Sequence, residues 1–189
     1  MARCDWCGDD PIYVDYHDNE WGVPLKHEQS MFEFLCLEGA QAGLSWITIL
    51  KKRQGYRDAF DQFDVHKCAR YTDKQLDKKL TNPNIVRNRL KVYSVRKNAI
   101  ATLALYDEGT TLVDFLWDYV DGKPIQNKWR SMSEIPAETP LSQQISKDLK
   151  KRGFTFVGPT IVYAHMQATG MVNDHIVSCP RYKACAALA

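Results

Sequence analysis

The clearest pattern in the chain lies in residues 31–60, MFEFLCLEGAQAGLSWITILKKRQGYRDAF. Apolar residues recur there every three or four positions over a length that exceeds an ordinary strand, which is typical of helices facing a core. Ser30 and Glu33 form a potential capping box before the first run. Gly43 interrupts the pattern, and Ser45 can cap the run that follows. The segment therefore predicts two helices joined by a break at Gly43.

The same helical spacing continues through the rest of the chain. Asp10 and Pro11 predict the start of a first helix that ends near Gly22. Thr72 can cap the segment DKQLDKKL. The remaining helices are predicted over residues 85–106, over 112–120, from a cap at Ser142 to Gly153, over 159–169, and over NDHIVSC at 173–179. Residues 123–140 contain three prolines and predict an irregular connection. We therefore expect an all-α fold in a single domain over residues 1–189, with room for a pocket between two helical lobes.

The composition is that of an ordinary globular protein. Of the 189 residues, 44% are hydrophobic and 25% are charged, and no apolar stretch approaches the roughly 20 residues of a membrane helix. The N-terminus MARCDW lacks the apolar region of a secretion signal, so we expect a cytoplasmic protein whose six cysteines are thiols or metal ligands rather than disulfides. The net charge of +2 permits nucleic-acid binding only through locally concentrated positive charge.

Cysteine and histidine residues near the two chain ends can form a metal site. His175 and Cys179 lie four positions apart, which on a helix places both side chains on one face, as a tetrahedral zinc requires. A structural site needs two further ligands, and Cys4 and His17 are candidates. Spacing alone leaves rivals open, namely a C-x-x-C pair of Cys4 with Cys7, and the residues Cys185, His27, His66 and His165. Satisfied core residues and free thiols are the other interpretation.

A carboxylate on an apolar helix face is the most informative single feature. Glu38 falls on the same predicted stripe as Met31 and Ala42, so we expect it to be buried or to face a cleft, where an unpaired charge is costly. Trp46 follows just after the break, and an aromatic face beside a carboxylate is one way to hold a planar heterocycle. A buried ion pair, or a cap for a neighbouring helix, is the alternative for Glu38.

The first predicted helix carries an aromatic face. Tyr13, Tyr16 and His17 share that face with Glu20, which follows one turn later. Taken alone, these residues are more typical of a partly buried seam against the core than of a functional site.

Residues 80–92, LTNPNIVRNRLKV, look like two helices joined by a tight turn. A second helix that begins near Ile85 exposes backbone N–H groups and the positive end of its dipole, which can bind a phosphate. Arg87 and Arg89 add positive charge beside the turn. An ordinary helix corner with a solvated basic face is the alternative.

Three long strings in the chain resemble one known family. The family is bacterial 3-methyladenine DNA glycosylase I, the constitutive TAG family of the helix-hairpin-helix superfamily. The similar strings are DPIYVDYHDNEWGVP, FEFLCLEGAQAGLSWITILKKR and KKRGFTFVGPTIVYAHMQATGMVNDH with the cysteine that follows. The similarity runs from Arg3 to Cys179, and its most specific parts are LEGAQAGLSW and YHDNEWG.

The resemblance implies a helix-hairpin-helix glycosylase fold in which residues 80–92 are the hairpin. One structural Zn²⁺ is implied, with the ligands Cys4, His17, His175 and Cys179. A base pocket is implied, formed by Trp6, Tyr13, Tyr16, Glu38 and Trp46. Within that pocket, Glu38 and Tyr16 are the catalytic candidates. DNA contacts are implied for Gly43 and Leu44 in the loop near the lesion, and for Asn84, Ile85, Arg87 and Arg89 in the hairpin.

The implied activity is base-excision repair of alkylated double-stranded DNA. The enzyme would flip out a 3-methyladenine nucleotide, hydrolyse its N-glycosidic bond and leave an abasic site, with free 3-methyladenine as product. The wider superfamily often carries a catalytic aspartate, and some members carry a lysine nucleophile. Asp107 and Asp114 lie downstream of the hairpin, but nothing in their context selects them. We therefore expect a monofunctional enzyme that acts as a monomer and without a membrane.

Two other functional classes share some of these features. A non-catalytic DNA-binding module clamped by zinc has the hairpin and the metal, but it has no use for a carboxylate beside aromatic residues. A zinc hydrolase or deaminase needs a three-ligand metal with bound water, and the deaminase signature H-x-E…P-C-x-x-C is absent from the sequence. The range of lesions, any water-activating group and the roles of Cys7, Cys185 and the C-terminal tail stay open.

Overall fold

A computed structural model describes residues 3–189, and most of these residues are helical. The helices are α1 Pro11–Asn19, α2 Glu28–Gln41, α3 Trp46–Ala59, α4 Val65–Ala69, α5 Asp73–Lys79, α6 Arg89–Asp107, α7 Leu112–Trp117, α8 Pro140–Lys151, α9 Pro159–Ala168 and α10 Pro180–Ala186. The strands are β1 Ile125–Gln126 and β2 Val172–Asn173. Short 3₁₀ turns cover Asp5–Cys7, Asp61–Phe63, Asp118–Val120 and Met132–Glu134.

The expected all-α fold needs one correction. Strands β1 and β2 pair in parallel, with Ile125 opposite Val172 and Gln126 opposite Asn173. The pair ties the proline-bearing connection to the segment after α9. The segment NDHIVSC is therefore not a helix: it starts in β2, continues as turns and ends at Cys179, the residue before α10.

Two of the predicted helix caps are confirmed. The Asp10 carboxylate accepts the backbone N–H of Ile12 at the start of α1, although that helix ends at Asn19 rather than near Gly22. Thr72 and Gln75 form a capping box at the start of α5.

Other predicted helix starts are wrong by a few residues. Helix α2 begins at Glu28 and is capped by the ring of His27, so Ser30 and Glu33 form no capping box. Helix α8 is capped by Thr139, and Ser142 is only its partner in the capping box. Helix α6 begins at Arg89 instead of near Ile85, because the side chain of Asn88 caps it by accepting the backbone N–H of Lys91. Ser45 directly precedes α3 as predicted, but its side chain makes no capping hydrogen bond to that helix, and α9 begins at the predicted Pro159.

Helix α2 lies at the centre of the molecule. Every residue from 31 to 40 is buried, and the helix packs against α3, α6, α7 and α9. A second, smaller hydrophobic cluster joins the two ends of the chain, and its members are Cys4, Tyr16, Trp21, Phe34, Leu50, Ala168, Ile176 and Cys179. None of the helices formed by residues 3–189 has the length and apolar character that a membrane crossing requires.

The turn between α5 and α6 rests on α3. Gly55 has no room for a side chain, because a Cβ atom there would lie 2.5 Å from the carbonyl oxygen of Asn84. The hydroxyl oxygen of Tyr56 accepts the backbone N–H of Val86 at 3.2 Å. Helix α3 therefore fixes this hairpin relative to Trp46, the first residue of the same helix.

Candidate functional site

A cavity of about 210 Å³ opens between the N-terminal segment, α1, α2, α3 and α9. Its lining residues are Trp6, Tyr13, Tyr16, Trp21, Glu38, Gln41, Trp46, Met132, Ile135, Ala164 and Gln167. It brings together all five residues expected to form a base pocket. The volume is below the roughly 300–1000 Å³ of pockets for drug-sized ligands, so the cavity suits a small planar molecule.

Glu38 is a buried carboxyl group without a partner. Its exposed fraction is 4%, and no hydrogen bond or ion pair from residues 3–189 reaches its side chain. Burial raises the pKa of Glu38 to about 8. The ion pair considered as an alternative belongs to Glu33 instead, whose carboxylate lies 2.6 Å from Arg53 Nε and 2.9 Å from Arg57 Nη2. Glu38 is therefore free to interact with a ligand.

Two indole N–H groups near Glu38 also have no partner. The Nε1 atoms of Trp6 and Trp46 are buried, and neither has a hydrogen-bond partner within residues 3–189. Buried donors are satisfied in the large majority of cases. Both rings line the cavity, but their Nε1 atoms are enclosed, so the carboxyl group of Glu38, rather than these two donors, is placed to meet a ligand.

The aromatic rings form a connected wall around the cavity. The ring centroid of Trp6 lies 4.9 Å from that of Tyr13 and 5.0 Å from that of Trp21. The Tyr16 and Trp46 centroids are 5.6 Å apart. Burial holds the pKa of Tyr16 well above its ordinary value, so its hydroxyl stays protonated and can donate. Such a wall can bind a planar ring by stacking.

Six lining residues of the cavity were not singled out from the sequence, and they are Trp21, Gln41, Met132, Ile135, Ala164 and Gln167. Trp21 belongs to YHDNEWG, one of the most specific strings of the resemblance, so the sequence could have indicated that it lines the cavity. Gln167 lies on α9 and Met132 in the proline-bearing connection, so their places depend on packing between distant parts of the chain. Local spacing carries no signal for such contacts.

The four predicted metal ligands converge beside the cavity. Cys4, His17, His175 and Cys179 are buried, and their donor atoms all lie within 4.8 Å of one another. Three of the four sulfur–nitrogen distances are 3.6 to 3.7 Å, which agrees with the edge of about 3.6 Å that zinc bond lengths give a tetrahedron. Two thiols and two imidazoles in this arrangement fit a four-coordinate Zn²⁺.

The route by which these ligands meet differs from the prediction. His175 and Cys179 do not share a helix face, since both lie in the turns after β2. The backbone N–H of Cys179 donates to the carbonyl of Ile176 at 2.8 Å, and this turn brings the two side chains together. The four-residue spacing therefore predicts correctly that the two side chains lie together, but they meet through a turn and not on a helix.

Each histidine of the cluster is fixed by a second interaction. His17 Nδ1 lies 2.8 Å from Asp18 Oδ1, and His175 Nε2 lies 2.9 Å from the carbonyl oxygen of Trp21. A hydrogen bond from Arg3 lowers the pKa of Asp18 to about 2. These contacts leave His17 Nε2 and His175 Nδ1 facing the two cysteines, an arrangement typical of metal-binding histidines.

The rival metal ligands lie outside this cluster, and they are Cys7, Cys185, His27, His66 and His165. The thiol of Cys7 donates to the backbone carbonyl of Cys4 at 3.2 Å, so it contacts the segment without joining the four ligands. His27 caps α2, and His165 is buried against the carbonyl of Met31.

The break between α2 and α3 forms a braced loop beside the cavity. Gly43 has φ +77°, a conformation that favours glycine. Leu44 is 38% exposed, and its carbonyl accepts a hydrogen bond from the side chain of Gln41. The ammonium group of Lys91 donates to the carbonyl of Ala42 at 2.6 Å. The loop therefore presents an apolar side chain next to the cavity that Gln41 lines.

The predicted hairpin residues differ in their surroundings. Asn84 and Arg87 are exposed, whereas Ile85 is 2% exposed and packs in the core. Arg89 donates to the carboxylate of Asp77. The backbone N–H groups at the start of α6 therefore lie at Arg89 and beyond, which corrects the expected helix start at Ile85.

Comparison with known proteins places the whole chain within one group. The family model described as methyladenine glycosylase matches residues 6–182. The DNA-3-methyladenine glycosylase of Haemophilus influenzae is 49% identical over 179 residues, which is 95% of this chain and 97% of that protein.

Solved structures give the same result. A crystal structure of 3-methyladenine DNA glycosylase I (TAG) is 50% identical, with a TM-score of 0.93 over 95% of this chain and 98% of that one. A variant of 3-methyladenine DNA glycosylase I in complex with 3-methyladenine is 38% identical, with a TM-score of 0.92 over 95% and 97% of the two chains.

Proposed function

This chain belongs to the methyladenine glycosylase family, and on that basis we propose that it excises 3-methyladenine from alkylated double-stranded DNA. The damaged nucleotide is flipped out of the duplex, its N-glycosidic bond is hydrolysed and an abasic site remains. The enzyme acts as a cytoplasmic monomer, with residues 1–189 as one helix-hairpin-helix glycosylase domain. The observation that carries this proposal is the unpartnered carboxyl group of Glu38 inside an aromatic cavity.

Recognition in this proposal depends on charge. Methylation at N3 makes the adenine ring of the nucleotide formally cationic, and aromatic faces attract a cation. Glu38 accepts a hydrogen bond from the exocyclic amine, and its negative charge favours the cationic ring. With a pKa of about 8, the carboxyl group of Glu38 holds a proton near neutral pH when the cavity is empty. Entry of the cationic base lowers that pKa, so the carboxyl group releases its proton and becomes charged. Unmodified adenine is neutral and is bound less well.

The chemical step needs little help from the protein. The oxygen of a water molecule bonds to C1′ of the sugar, while the electron pair of the C1′–N bond moves onto the ring and neutralises it. One proton of the water passes to solvent, and neutral 3-methyladenine leaves. Glu38 and Tyr16 hold the base during this step. The attraction of Glu38 for the ring charge is lost as the ring becomes neutral, but its hydrogen bond from the exocyclic amine remains, so Glu38 serves recognition of the base more than bond breaking.

Zinc has a structural role in this proposal. Cys4, His17, His175 and Cys179 are four protein ligands, which leave no position for a reactive water. The ion joins the N-terminal segment to the turns after β2. It also supports the cavity, because His175 donates to the carbonyl of Trp21, whose ring is part of the aromatic wall.

Contacts with the duplex are assigned to two elements. Gly43 and the exposed Leu44 approach the strand at the lesion, beside the cavity. The exposed hairpin residues Asn84 and Arg87 contact phosphates, which gives affinity without base selection. Arg89 and Ile85, also expected there, contribute less: Arg89 is engaged by Asp77, and Ile85 offers only its backbone.

A base-release assay tests the proposed function. Purified protein is incubated with duplex DNA that has been treated with a methylating agent, and the released bases are identified by liquid chromatography. We expect free 3-methyladenine, and abasic sites without strand cleavage. Binding of the DNA with no base released would instead indicate a non-catalytic DNA-binding module. Release of ammonia in place of a base would indicate a deaminase.

A further inference from the structure

A second buried carboxylate lies behind the wall of the cavity. Asp174 is fully buried, and within residues 3–189 no cationic side chain pairs with it. Its oxygens accept four hydrogen bonds from neutral donors, which are Asn127 Nδ2 at 2.6 Å, Trp129 Nε1 at 2.8 Å, Tyr163 Oη at 2.6 Å and Gln167 Nε2 at 2.8 Å. Four donors satisfy both oxygens, so the charge is stabilised without a counter-ion.

This arrangement determines which way the Gln167 side chain points. A carboxylate can only accept hydrogen bonds, and the indole N–H of Trp129 can only donate to it. The amide of Gln167 must therefore turn its nitrogen toward Asp174 and its carbonyl oxygen, Oε1, away. An unconstrained amide could present either end to a ligand.

The oxygen that is turned away is free to accept a further hydrogen bond. Gln167 lines the cavity, and its residue is partly exposed. No hydrogen bond from residues 3–189 reaches Oε1, and Oε1 is not one of the enclosed atoms without a partner. It therefore has contact with the open space, as the carboxyl group of Glu38 does.

We propose that Gln167 is a specificity-determining residue whose Oε1 accepts a hydrogen bond from an N–H group of the bound base. Asp174 is a positioning residue, because it keeps this oxygen, and not the amide nitrogen, in the cavity. The inference rests on the proposed function. With Glu38, Gln167 gives the cavity two acceptors, which favours a base edge with an amino group over one with a carbonyl group.

Calorimetric titration of free 3-methyladenine tests this assignment. Gln167→Ala removes one neutral hydrogen bond and should weaken binding about 3- to 10-fold. Asp174→Asn should cause a similar loss, because the asparagine amide can donate to Gln167 and let its side chain turn round. The double variant should bind no more weakly than Gln167→Ala alone, because Asp174 acts through Gln167.

A matched control is Gln144→Ala. Gln144 also donates to a carboxylate, that of Asp148 at 2.7 Å, but it lies on the exposed face of α8, so its loss should leave the affinity unchanged.

Wild-type affinity in Gln167→Ala overturns the inference, and so do losses that add in the double variant. If Asp174→Asn does not fold, the affinity of Gln167→Ala tests the inference without it. A second measurement is then the nuclear magnetic resonance spectrum of the wild type, in which the side-chain amide signals of Gln167 should shift when 3-methyladenine is added. Failure of the wild type to bind 3-methyladenine would overturn the proposed function itself.

Discussion

The cysteine–histidine cluster and the aromatic cavity lie side by side, but their polar atoms are satisfied very differently. In the cluster, the outer nitrogens of both histidines have partners, the carboxylate of Asp18 and the carbonyl of Trp21. In the cavity, the carboxyl of Glu38 and the indole N–H groups of Trp6 and Trp46 have none within residues 3–189. Because an unpartnered buried carboxyl is rare and costly, the difference indicates that Glu38, unlike the histidines of the cluster, is kept for a ligand.

Two elements connect these regions. Helix α1 carries Tyr16 into the cavity and His17, the next residue, into the cluster. Trp21 lines the cavity with its ring and contacts His175 with its carbonyl. Loss of the metal should therefore disturb both regions, whereas loss of the Glu38 side chain should affect only the ligand.

Removal of a cluster ligand is expected to have the largest effect. Cys179→Ser should abolish zinc binding and lower the free energy of unfolding by several kcal/mol, because the metal joins distant parts of the chain. Metal content by mass spectrometry and thermal melts check this together. Cys185→Ser is the control, since Cys185 is a buried thiol outside the cluster, and it should retain one zinc per chain. A stable Cys179→Ser protein with no metal would remove the structural role of zinc.

The pH dependence of stability should reveal the unpartnered state of Glu38. Its pKa is about 8 in the folded protein against an ordinary value of 4.5, so the folded state holds a proton that the unfolded chain has lost between these values. The contribution of Glu38 to stability should therefore fall as the pH rises through this window. Glu38→Gln lacks this loss, so its advantage over wild type should grow by a few kcal/mol between these two pH values and then level off.

Urea unfolding of both proteins across the same window measures this advantage. Glu33→Gln is the matched control on the same helix, because Glu33 is paired with Arg53 and Arg57. That variant should be less stable than wild type instead of more stable. A difference between Glu38→Gln and wild type that does not change with pH would show that the Glu38 carboxyl is satisfied after all.

The smallest effect is expected at the hairpin, whose residues line neither region. Arg87→Ala should weaken binding to undamaged duplex by a few-fold and reduce the salt slope of the affinity by about one, as the loss of one phosphate contact does. Arg89→Ala should change both quantities less, because Arg89 already pairs with Asp77. Fluorescence anisotropy at several salt concentrations measures the slopes. Equal slopes for wild type and Arg87→Ala would place Arg87 outside the interface.

Features that depend on local pattern could be predicted from the sequence. The start of α1 follows from Asp10 and Pro11, and the start of α9 from Pro159, because caps and N-terminal prolines act within one helical turn. The burial of Glu38 follows from its place on an apolar stripe. The resemblance brought the four metal ligands together before any geometry was known.

Features that depend on contacts between distant residues could not be predicted from the sequence. Glu33 has the spacing of a capping box, but Arg53 and Arg57 on α3 bind its carboxylate. The pairing of β1 with β2 joins residues 47 positions apart, such as Ile125 and Val172, and it converts an expected helix into strand and turns. Gln167 acquires its orientation only when α9 packs near Asp174. In each case a long-range contact overrides a correct local signal.

The central claim is that the unpartnered carboxyl group of Glu38 in the cavity recognises the methylated base. Titration of free 3-methyladenine into wild type and Glu38→Ala tests it most directly, with thermal melts of both proteins in parallel. We expect Glu38→Ala to fold and to bind the base about tenfold to a hundredfold more weakly, which corresponds to the roughly 1.5–3 kcal/mol of a charge-assisted hydrogen bond. Wild-type affinity in a folded Glu38→Ala protein would contradict the claim, and a variant that fails to fold would show that Glu38 serves the structure instead.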